Sequence, residues 1–353
     1  MRPSRKGLRV GVVGATGMVG RELVELLERR RFPVFELKPF SSGRVKSAVR
    51  FRGRSVAAPG VDVSTLESCD LVFLVSSDEV ALSHGRPLAA RGVWVIDDSA
   101  AFRLDPKVPL VIPEVNSDAL RLNRRLIAGP NCTMTGLGVA GALLHRKVGV
   151  KEVRLASYQA VSGAGKAALG ELFGQSRALA RTGLSADGRA PVLGAGNSSA
   201  LPRAIAFNAI PQVGRFGSDG YSGEEAKVAA ELRKIWSAPG LKVSTTAVRV
   251  PTIRGHALAA WLTFGRAVTA SRARALLTKT PGLVLAREED YPTPRGAGGK
   301  DPVFAGRVRQ GANAREIALW IVSDNLLKGA ALNSAQIAEE LLRRGWLKSK
   351  IAS

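Results

Sequence analysis

Residues 8–27 read LRVGVVGATGMVGRELVELL and carry the clearest structural signal in the chain. A short apolar run leads into glycines at positions 14, 17 and 20, and apolar residues at 23, 24, 26 and 27 then mark one face of a helix. This order predicts a strand, a glycine turn and a helix. Glycine lets the backbone approach a phosphate closely, and the start of the helix directs N–H groups at a pyrophosphate. A tight turn without a ligand is the alternative.

Further short apolar runs follow this unit, with helical stretches or loops such as 78–91 between them; they lie at 34–37, 70–75, 93–96, 110–112 and 126–128. Alternating β and α segments of this kind predict an α/β fold with a Rossmann-like, doubly wound parallel sheet.

The pattern changes after residue 132. A helix is predicted at 135–145, long strand-like segments lie at 150–161, 241–250, 258–264 and 317–322, and further helical stretches lie at 165–180, 224–236 and 324–344. A segment rich in glycine, alanine and serine, 181–199, is predicted to be a loop. These features predict a second, α+β domain with a mixed, largely antiparallel sheet.

Length and composition limit the class of protein. At 353 residues, of which 45% are apolar, the chain suits about two domains. No apolar run reaches the roughly 18 residues of a membrane span, and the basic N-terminus lacks the apolar stretch of a secretory signal. We therefore expect a cytoplasmic protein with no membrane partner. Its two cysteines form no disulfide framework, and the absence of CxxC and HExxH spacings predicts no metal site.

The formal net charge of +23 raises the question of a nucleic-acid partner. Lys and Arg residues are scattered over the whole chain, however, and aromatic residues make up only 5% of it. No run resembles an RNA-binding sheet or a recognition helix with basic flanks. We therefore interpret the charge as a solubilising surface that lends a few cations to anionic ligands, and we predict no nucleic-acid partner.

Cys132 stands where a predicted strand ends and a helix begins, after Gly-Pro-Asn. A helix N-terminus lowers the pKa of a thiol, and the thiolate is the nucleophilic form. A thiolate suits acyl transfer because it adds to a carbonyl, and the thioester left after hydride transfer is activated for attack. A buried structural cysteine is the alternative. That alternative suits Cys69, which leads into an apolar strand with no reactive groups around it.

Eight segments occur in the same order as in one known family. They are GATGMVG at 14–20, DSAAFR at 98–103, VIPEVN at 111–116, PNCT at 130–133, YQAVSGAG at 158–165, AFNAIPQ at 206–212, RVP at 249–251 with Gly255-His256, and DNLLKGAA at 324–331. With them the chain resembles the aspartate-β-semialdehyde dehydrogenase family from residue 8 to about residue 343. The resemblance implies an NADP-dependent, reversible reduction of L-4-aspartyl phosphate to L-aspartate 4-semialdehyde and phosphate, in the synthesis of lysine, threonine, methionine and isoleucine.

The resemblance also implies roles for individual residues. Cys132 is the implied nucleophile, His256 the general acid/base and Gln159 the group that orients the substrate. Arg249 is implied to hold the substrate carboxylate and Glu224 its ammonium group. The other implied contacts are with phosphate, through Arg103, Asn131 and Lys227, and with the cofactor, through Gly14, Thr16, Gly17, Met18, Val19, Ser41, Ser162, Gly163 and Asn325.

Elementary chemistry agrees with these roles, although each has a plainer alternative. A substrate with a carboxylate and a phosphate needs an arginine fork and separate cations, and histidine is the natural acid/base near neutral pH. His256 could equally be a surface histidine, and Gln159 a polar residue on the outer face of a strand. Glu224 and Lys227 could be a solvated pair one helical turn apart.

The segment after the second strand bears on the choice of cofactor. An NAD site usually has an acidic residue about 20 positions after the glycines, and Glu36 lies near that distance. The strand leads into KPFSSGR at 38–44, whose hydroxyls and cations suit a 2′-phosphate. We predict NADP, with NAD as the alternative, and contacts from Lys38, Phe40, Ser41 and Arg44. Family members commonly have a serine at the position of Lys38 and an arginine at that of Phe40.

The resemblance further implies the domain limits and the partners. Residues 1–131 with 325–353 form the implied NADP-binding domain, to which the C-terminal helix returns, and residues 132–324 form the catalytic and dimerisation domain. A homodimer or a tetramer of dimers is implied. The alternatives to this function are an N-acetyl-γ-glutamyl-phosphate reductase, a non-catalytic paralogue and a nucleic-acid-binding protein; Asn131 before Cys132 favours the aspartate enzyme over the first of these.

Overall fold

The structure is a computed structural model that describes residues 7–182 and 199–350. These residues form two compact units. Unit 1 holds the described residues up to Gly138, the segment Glu231–Ala238 and the described residues from Leu326 onward; unit 2 holds the described residues of Val139–Ala230 and Pro239–Asn325. The predicted domain limits stay a prediction. No helix in the described ranges is long and apolar enough to cross a membrane.

Unit 1 contains a parallel sheet of five strands and a separate hairpin. Its strands are β1 (Leu8–Val13), β2 (Val34–Phe40), β3 (Ala48–Phe51), β4 (Arg54–Ala57), β5 (Leu71–Leu74), β6 (Trp94–Asp97) and β7 (Leu126–Ala128). The order in the sheet is β2-β1-β5-β6-β7, and every neighbouring pair is parallel. Strands β3 and β4 form an antiparallel hairpin. The predicted doubly wound parallel sheet is therefore confirmed.

The described ranges contain α-helices of very different length. They are α1 (Met18–Arg29), α2 (Val63–Glu67), α3 (Asp78–Ala90), α4 (Pro113–Asn116), α5 (Cys132–Val148), α6 (Gly165–Thr182), α7 (Gly223–Ile235), α8 (Ala270–Thr278), α9 (Pro294–Ala297) and α10 (Leu332–Arg343). Short 3₁₀ turns cover Ser117–Ala119 and Val161–Ala164, and a π-helical turn covers Leu327–Ala331.

The core of unit 1 joins the first strand, the first helix and the last helix. Val10 and Val12 of β1 pack in one apolar cluster with Leu23 of α1 and with Ile337 and Leu341 of α10, and all five side chains are fully buried. Burying each such side chain stabilises a fold by about 1.5–3 kcal/mol. This packing fixes the position of α1, and with it the glycine turn at the end of β1.

Unit 2 contains a mixed sheet of six strands: β8 (Val150–Gln159), β9 (Lys242–Arg249), β10 (His256–Phe264), β11 (Leu283–Leu285), β12 (Val303–Gln310) and β13 (Glu316–Ser323). The order is β11-β12-β13-β10-β8-β9. The pairs β12–β13, β13–β10 and β10–β8 are antiparallel, whereas β8–β9 and β11–β12 are parallel. The predicted mixed, largely antiparallel sheet is confirmed.

Several predicted elements differ from those observed. Residues 110–112 form one parallel bridge, Leu110 to Ala128, rather than a strand, because Pro113 starts α4 directly and the Ile112 amide bonds the Asn116 side chain. The helix predicted at 324–344 begins only at the π-helical turn. Strand β12 and the β3–β4 hairpin were not predicted. Most of the loop predicted at 181–199 lies outside the described residues.

Candidate active site

The glycine turn between β1 and α1 is required by close backbone contacts. Gly14 has a φ of 85°, and a Cβ there would lie 2.3 Å from the carbonyl oxygen of Val75. A Cβ at Gly20 would lie 2.2 Å from the carbonyl oxygen of Gly14. Gly17 is the N-cap of α1 and supplies no side-chain cap, and the first turn, which includes Met18 and Val19, contains no acidic residue. The start of α1 is therefore suited to an anion such as a pyrophosphate.

The segment predicted to bind the 2′-phosphate has several of its groups already engaged. Glu36 pairs with Lys38 at 2.8 Å and lies 3.7 Å from Arg9. Phe40 is buried, and its carbonyl accepts the amides of Gly14 and Ala15. Ser41 donates its hydroxyl to the carbonyl of Ala58 at 2.7 Å, whereas the side chain of Arg44 is exposed. The contacts predicted for this segment stay a prediction.

Cys132 is the first residue of α5 and is half-buried. Asn131 caps the helix, because its side-chain oxygen accepts the amides of Thr133 at 2.8 Å and of Met134 at 3.3 Å. Gly329 in the π-helical turn lies against Cys132, and a Cβ there would be 2.8 Å from the Cβ of Cys132. Cys132 thus lies between a residue held by hydrogen bonds, Asn131, and a glycine that packs closely against it, Gly329.

Arg103 lies beside Cys132 in a buried charged cluster. Its Nη1 donates to Glu231 at 3.2 Å and its Nη2 donates to the carbonyl of Asp98 at 2.7 Å. Burial works to lower the pKa of the Arg103 guanidinium, but the charges of Glu231 and Cys132 outweigh burial and raise that pKa above its usual value. The Nε–H is buried and has no hydrogen-bond partner among the described residues. An acceptor such as a phosphate oxygen would remove the cost of this unsatisfied donor.

Lys234, one turn beyond Glu231 in α7, fixes the loop that carries Arg103. Its ammonium group donates to the carbonyls of Arg103, Asp105 and Val108 at 2.7–2.8 Å. Burial lowers the pKa of Lys234, and the charges of Asp105 and Glu231 offset part of this lowering. The end of α7 therefore holds both the backbone and the side chain of Arg103.

A second group of predicted site residues lies in unit 2. Gln159, at the end of β8, donates to the hydroxyl of Ser157 and to the carboxylate of Glu224, both at 3.2 Å. Glu224 is near the start of α7 and is half-buried, as is Lys227. Lys227 forms no ion pair with any other described residue. This group therefore offers a carboxylate, an amide and an ammonium group.

His256 and Arg249 are buried close to the same turn. The Ala160 amide donates to Nδ1 of His256 at 3.0 Å, and the Ala160 carbonyl accepts from Nη1 of Arg249 at 2.8 Å. Burial, with the charge of Arg249 second, lowers the pKa of His256 to about 3. The imidazole is therefore neutral at pH 7. Because Nδ1 accepts a hydrogen bond, the single proton of the neutral imidazole ring is assigned to Nε2.

The residues predicted to meet the cofactor in unit 2 also contact this turn. A Cβ at Gly163 would lie 3.1 Å from Nη1 of Arg249 and 3.4 Å from Nε2 of His256. Asn325 bonds Ser162 at 3.0 Å and accepts the amide of Gly255 at 2.8 Å. The lack of a side chain at Gly163 thus avoids crowding against Arg249 and the imidazole, and Asn325 fixes the backbone before His256.

The structure groups the predicted residues and adds others that the sequence did not indicate. Unit 1 brings together Cys132, Asn131 and Arg103, and unit 2 brings together Gln159 with Glu224 and Arg249 with His256. Glu231, Gly329, Lys234 and Ala160 were not predicted. A signal for Glu231 exists in the sequence, because it lies three residues after Val228 and four before Ile235, on the apolar side of α7. Within the described ranges, no group of three or more His, Cys, Asp or Glu side chains is placed to hold a metal.

Two family models together match most of this chain. Residues 9–123 match a model for the semialdehyde dehydrogenase NAD binding domain, and residues 141–328 match a model for the semialdehyde dehydrogenase dimerisation domain. A Synechocystis protein named aspartate-semialdehyde dehydrogenase is 37% identical over 345 residues, which cover 96% of this chain and 99% of the relative.

Two crystal structures from Vibrio cholerae are similar over nearly the whole chain. Aspartate semialdehyde dehydrogenase II superposes with a TM-score of 0.88 at 38% identity, and the same enzyme complexed with ASA superposes with a TM-score of 0.87 at 37% identity. Each comparison covers 96% of this chain and 99% of the solved chain. These findings confirm the predicted resemblance and favour it over the alternatives derived from the sequence.

Proposed function

Because this chain belongs to the aspartate-semialdehyde dehydrogenase family, we propose that it interconverts L-4-aspartyl phosphate and L-aspartate 4-semialdehyde, with Cys132 as the acyl carrier. The observation that carries the proposal is the position of Cys132 at the start of α5, beside the buried guanidinium of Arg103. A helix N-terminus and a neighbouring cation both favour a thiolate. The relative complexed with ASA supports the substrate class.

The reaction begins, in the biosynthetic direction, with attack of the Cys132 thiolate on the acyl carbon of aspartyl phosphate. The C–S bond forms, the C–O bond to phosphate breaks, and phosphate leaves to the cations Arg103 and Lys227. The open Nε–H of Arg103 suits one phosphate oxygen. Arg249 holds the substrate carboxylate, Glu224 its ammonium group, and Gln159 orients the acyl group.

A nicotinamide dinucleotide, when bound, would supply the hydride that reduces the thioester. His256 then faces a developing oxyanion with a proton already on Nε2, because the Ala160 amide occupies Nδ1. A neutral imidazole N–H stabilises that oxyanion by hydrogen bonding. Collapse of the thiohemiacetal breaks the C–S bond, releases the semialdehyde and returns the Cys132 thiolate.

The cofactor belongs to the nicotinamide dinucleotides, as the match to the NAD binding domain indicates. Gly14 and Gly20 allow the close backbone contacts that shape the turn before α1, and Thr16 to Val19 form the start of the cradle. If the cofactor is NADP, Lys38 and Arg44 supply the positive charges for its 2′-phosphate. Since Glu36 already neutralises Lys38, we infer only a modest preference for NADP over NAD.

Membership of the family supports two further inferences, on the assembly and on the location. The dimerisation domain of the family matches residues 141–328, and we infer a homodimer, with a tetramer of dimers as the larger alternative. We place the enzyme in the cytoplasm, in the biosynthesis of amino acids from aspartate.

A phosphate-dependent assay tests the proposal. Purified protein is mixed with aspartate semialdehyde, NADP and phosphate, and NADPH formation is followed by absorbance. We expect turnover that requires phosphate and that falls sharply with N-acetylglutamate semialdehyde. Equal rates with the two aldehydes, or no turnover with either, would contradict the proposed substrate. Repeating the assay with NAD measures the cofactor preference.

A further inference from the structure

Glu231 is a buried carboxylate in α7 to which the proposed reaction assigns no chemical step. Its side chain is 1% exposed. Oε2 accepts the amide of Asn131 at 2.6 Å, and Oε1 accepts from the guanidinium of Arg103 at 3.2 Å. A carboxylate remains charged in such a place only if it is paired and hydrogen-bonded. Glu231 thus links the proposed phosphate-binding side chain to the peptide group that precedes Cys132.

We propose that Glu231 is a positioning residue, which fixes the guanidinium of Arg103 and the backbone at Asn131 relative to each other so that an anion can bind beside Cys132. The inference rests on the proposed function in taking that anion to be phosphate. Glu231 touches no reacting atom and acts through Arg103 and the backbone.

The contacts of the guanidinium explain why a fixed position matters. Glu231 holds Nη1, and the carbonyl of Asp98 holds Nη2 at 2.7 Å. A guanidinium is a rigid planar fork, so two fixed nitrogens determine the direction of the N–H on the third. That donor, Nε–H, is buried and has no partner among the described residues. The arrangement therefore leaves the Nε–H aligned for an incoming oxygen.

A positioning role and a purely electrostatic role predict opposite results. A negative charge close to the pocket repels phosphate, so its removal would tighten phosphate binding if charge alone mattered. If Glu231 instead sets the direction of Arg103, its removal weakens phosphate binding although the net charge becomes more favourable. The sign of the change therefore separates the two roles.

Protection of Cys132 from alkylation measures phosphate binding without turnover. Wild type, Glu231→Gln and Glu231→Asp are treated with iodoacetamide at increasing concentrations of inorganic phosphate, and modification of the Cys132 peptide is followed by mass spectrometry. For each protein we determine the phosphate concentration that halves its rate of Cys132 alkylation. This concentration is expected to be about tenfold higher in both variants than in wild type. Glu231→Asp keeps the charge but withdraws the carboxylate by one methylene, so it tests position even if Glu231→Gln does not fold.

Glu225 offers a matched control on the same helix. It is also buried, at 6% exposure, and its carboxylate accepts the amides of Ser222 at 2.6 Å and Ala247 at 2.8 Å. Glu225→Gln therefore removes a comparable buried charge that holds backbone amides. We expect Glu225→Gln to lose about as much thermal stability as Glu231→Gln. The phosphate concentration that halves its rate of Cys132 alkylation is expected to stay within twofold of the wild-type value.

The outcomes are distinct. Weaker phosphate binding in both Glu231 variants, with Glu225→Gln unchanged, supports the inference. Unchanged or tighter binding in the Glu231 variants, an equal effect of Glu225→Gln, or no phosphate protection in wild type would overturn it. If phosphate protects Cys132 but the enzyme shows no phosphate-dependent formation of NADPH, the proposed function fails while the protection constants still decide the role of Glu231.

Discussion

The two cysteines of this chain occupy regions of opposite character. Cys69 is fully buried between α2 and β5, and its thiol lies 3.5 Å from the carbonyl of Thr65. Burial is the main cause that raises its pKa to about 12, so it remains a neutral thiol near pH 7. Cys132 is half-buried at the start of a helix, beside the guanidinium of Arg103.

The contrast shows what makes a cysteine reactive in a folded protein. Both thiols belong to unit 1, and both lie close to a strand of the same parallel sheet. The difference lies in their surroundings: Cys69 is fully buried with a carbonyl beside its thiol, whereas Cys132 is half-buried at the start of a helix with a buried guanidinium nearby. Thiolate character, and hence the capacity for acyl transfer, follows from that local environment.

The largest expected effect comes from removing each sulfur in turn. Cys132→Ser is expected to lower kcat/KM at least about 10⁴-fold, because a nucleophile without activation supports little catalysis. Cys69→Ala is expected to retain activity within about threefold and to lose about 1–2 kcal/mol of stability through the cavity it leaves. Steady-state assays and denaturant unfolding measure both. Comparable losses of activity would remove the distinction between the two cysteines.

Alkylation compares the two thiols directly in the wild type. At pH 7.5 iodoacetamide is expected to modify Cys132 at least about 10³-fold faster than Cys69, since a thiol with a pKa near 12 is almost entirely protonated at that pH and is also inaccessible. Peptide mass spectrometry over time gives the two rates. Rates within tenfold of each other would mean that the environment of Cys132 does not activate it.

His256→Gln tests whether the reactivity of Cys132 depends on the imidazole. Because Nδ1 of His256 accepts the Ala160 amide, the ring holds its proton on Nε2 and is a donor rather than a base for the thiol. We expect kcat to fall about 10²- to 10³-fold, with the pH midpoint of Cys132 alkylation within about 0.3 units of wild type. A midpoint raised by one unit or more would show that His256 activates the thiol.

Arg103 variants give the smallest but most specific effect. Arg103→Gln is expected to raise the pH midpoint of Cys132 alkylation by about one unit, because a neighbouring cation stabilises the thiolate. Arg103→Lys keeps the charge and is expected to leave the midpoint nearly unchanged, while both variants weaken phosphate binding about 10- to 30-fold. Arg103→Gln also leaves the buried Glu231 carboxylate without its cation, and thermal unfolding measures the stability lost for that reason. An unchanged midpoint in Arg103→Gln would exclude this cation from thiol activation.

Local sequence patterns were sufficient to predict the features that depend on near neighbours. The glycine turn at 14–20 and the start of a helix near Cys132 are written in consecutive residues, so periodicity and turn chemistry indicate them. The parallel and mixed sheets followed from the spacing of apolar runs. The helix boundaries were less accurate, because side chains such as Asp324 and Asn325 bond to distant backbone groups instead of starting a helix.

The supporting residues of the candidate site could not be predicted in this way. Glu231 reaches Asn131 across 100 positions, and Gly329 meets Cys132 across an even longer separation. Nothing near these residues in sequence shows which partner the fold will bring to them. The tautomer of His256 likewise depends on one amide, that of Ala160, which is 96 positions away.

Direct detection of an acyl group on Cys132 tests whether this residue carries the acyl group during the reaction. Enzyme is mixed with aspartate semialdehyde and NADP in phosphate-free buffer, quenched within one turnover, and analysed for NADPH and for the mass of the Cys132 peptide. We expect a burst of about one NADPH per subunit together with the added mass of one aspartyl group on Cys132, and we expect both to disappear in Cys132→Ser. A burst without modification of Cys132, or an aspartyl group on another residue, would contradict it.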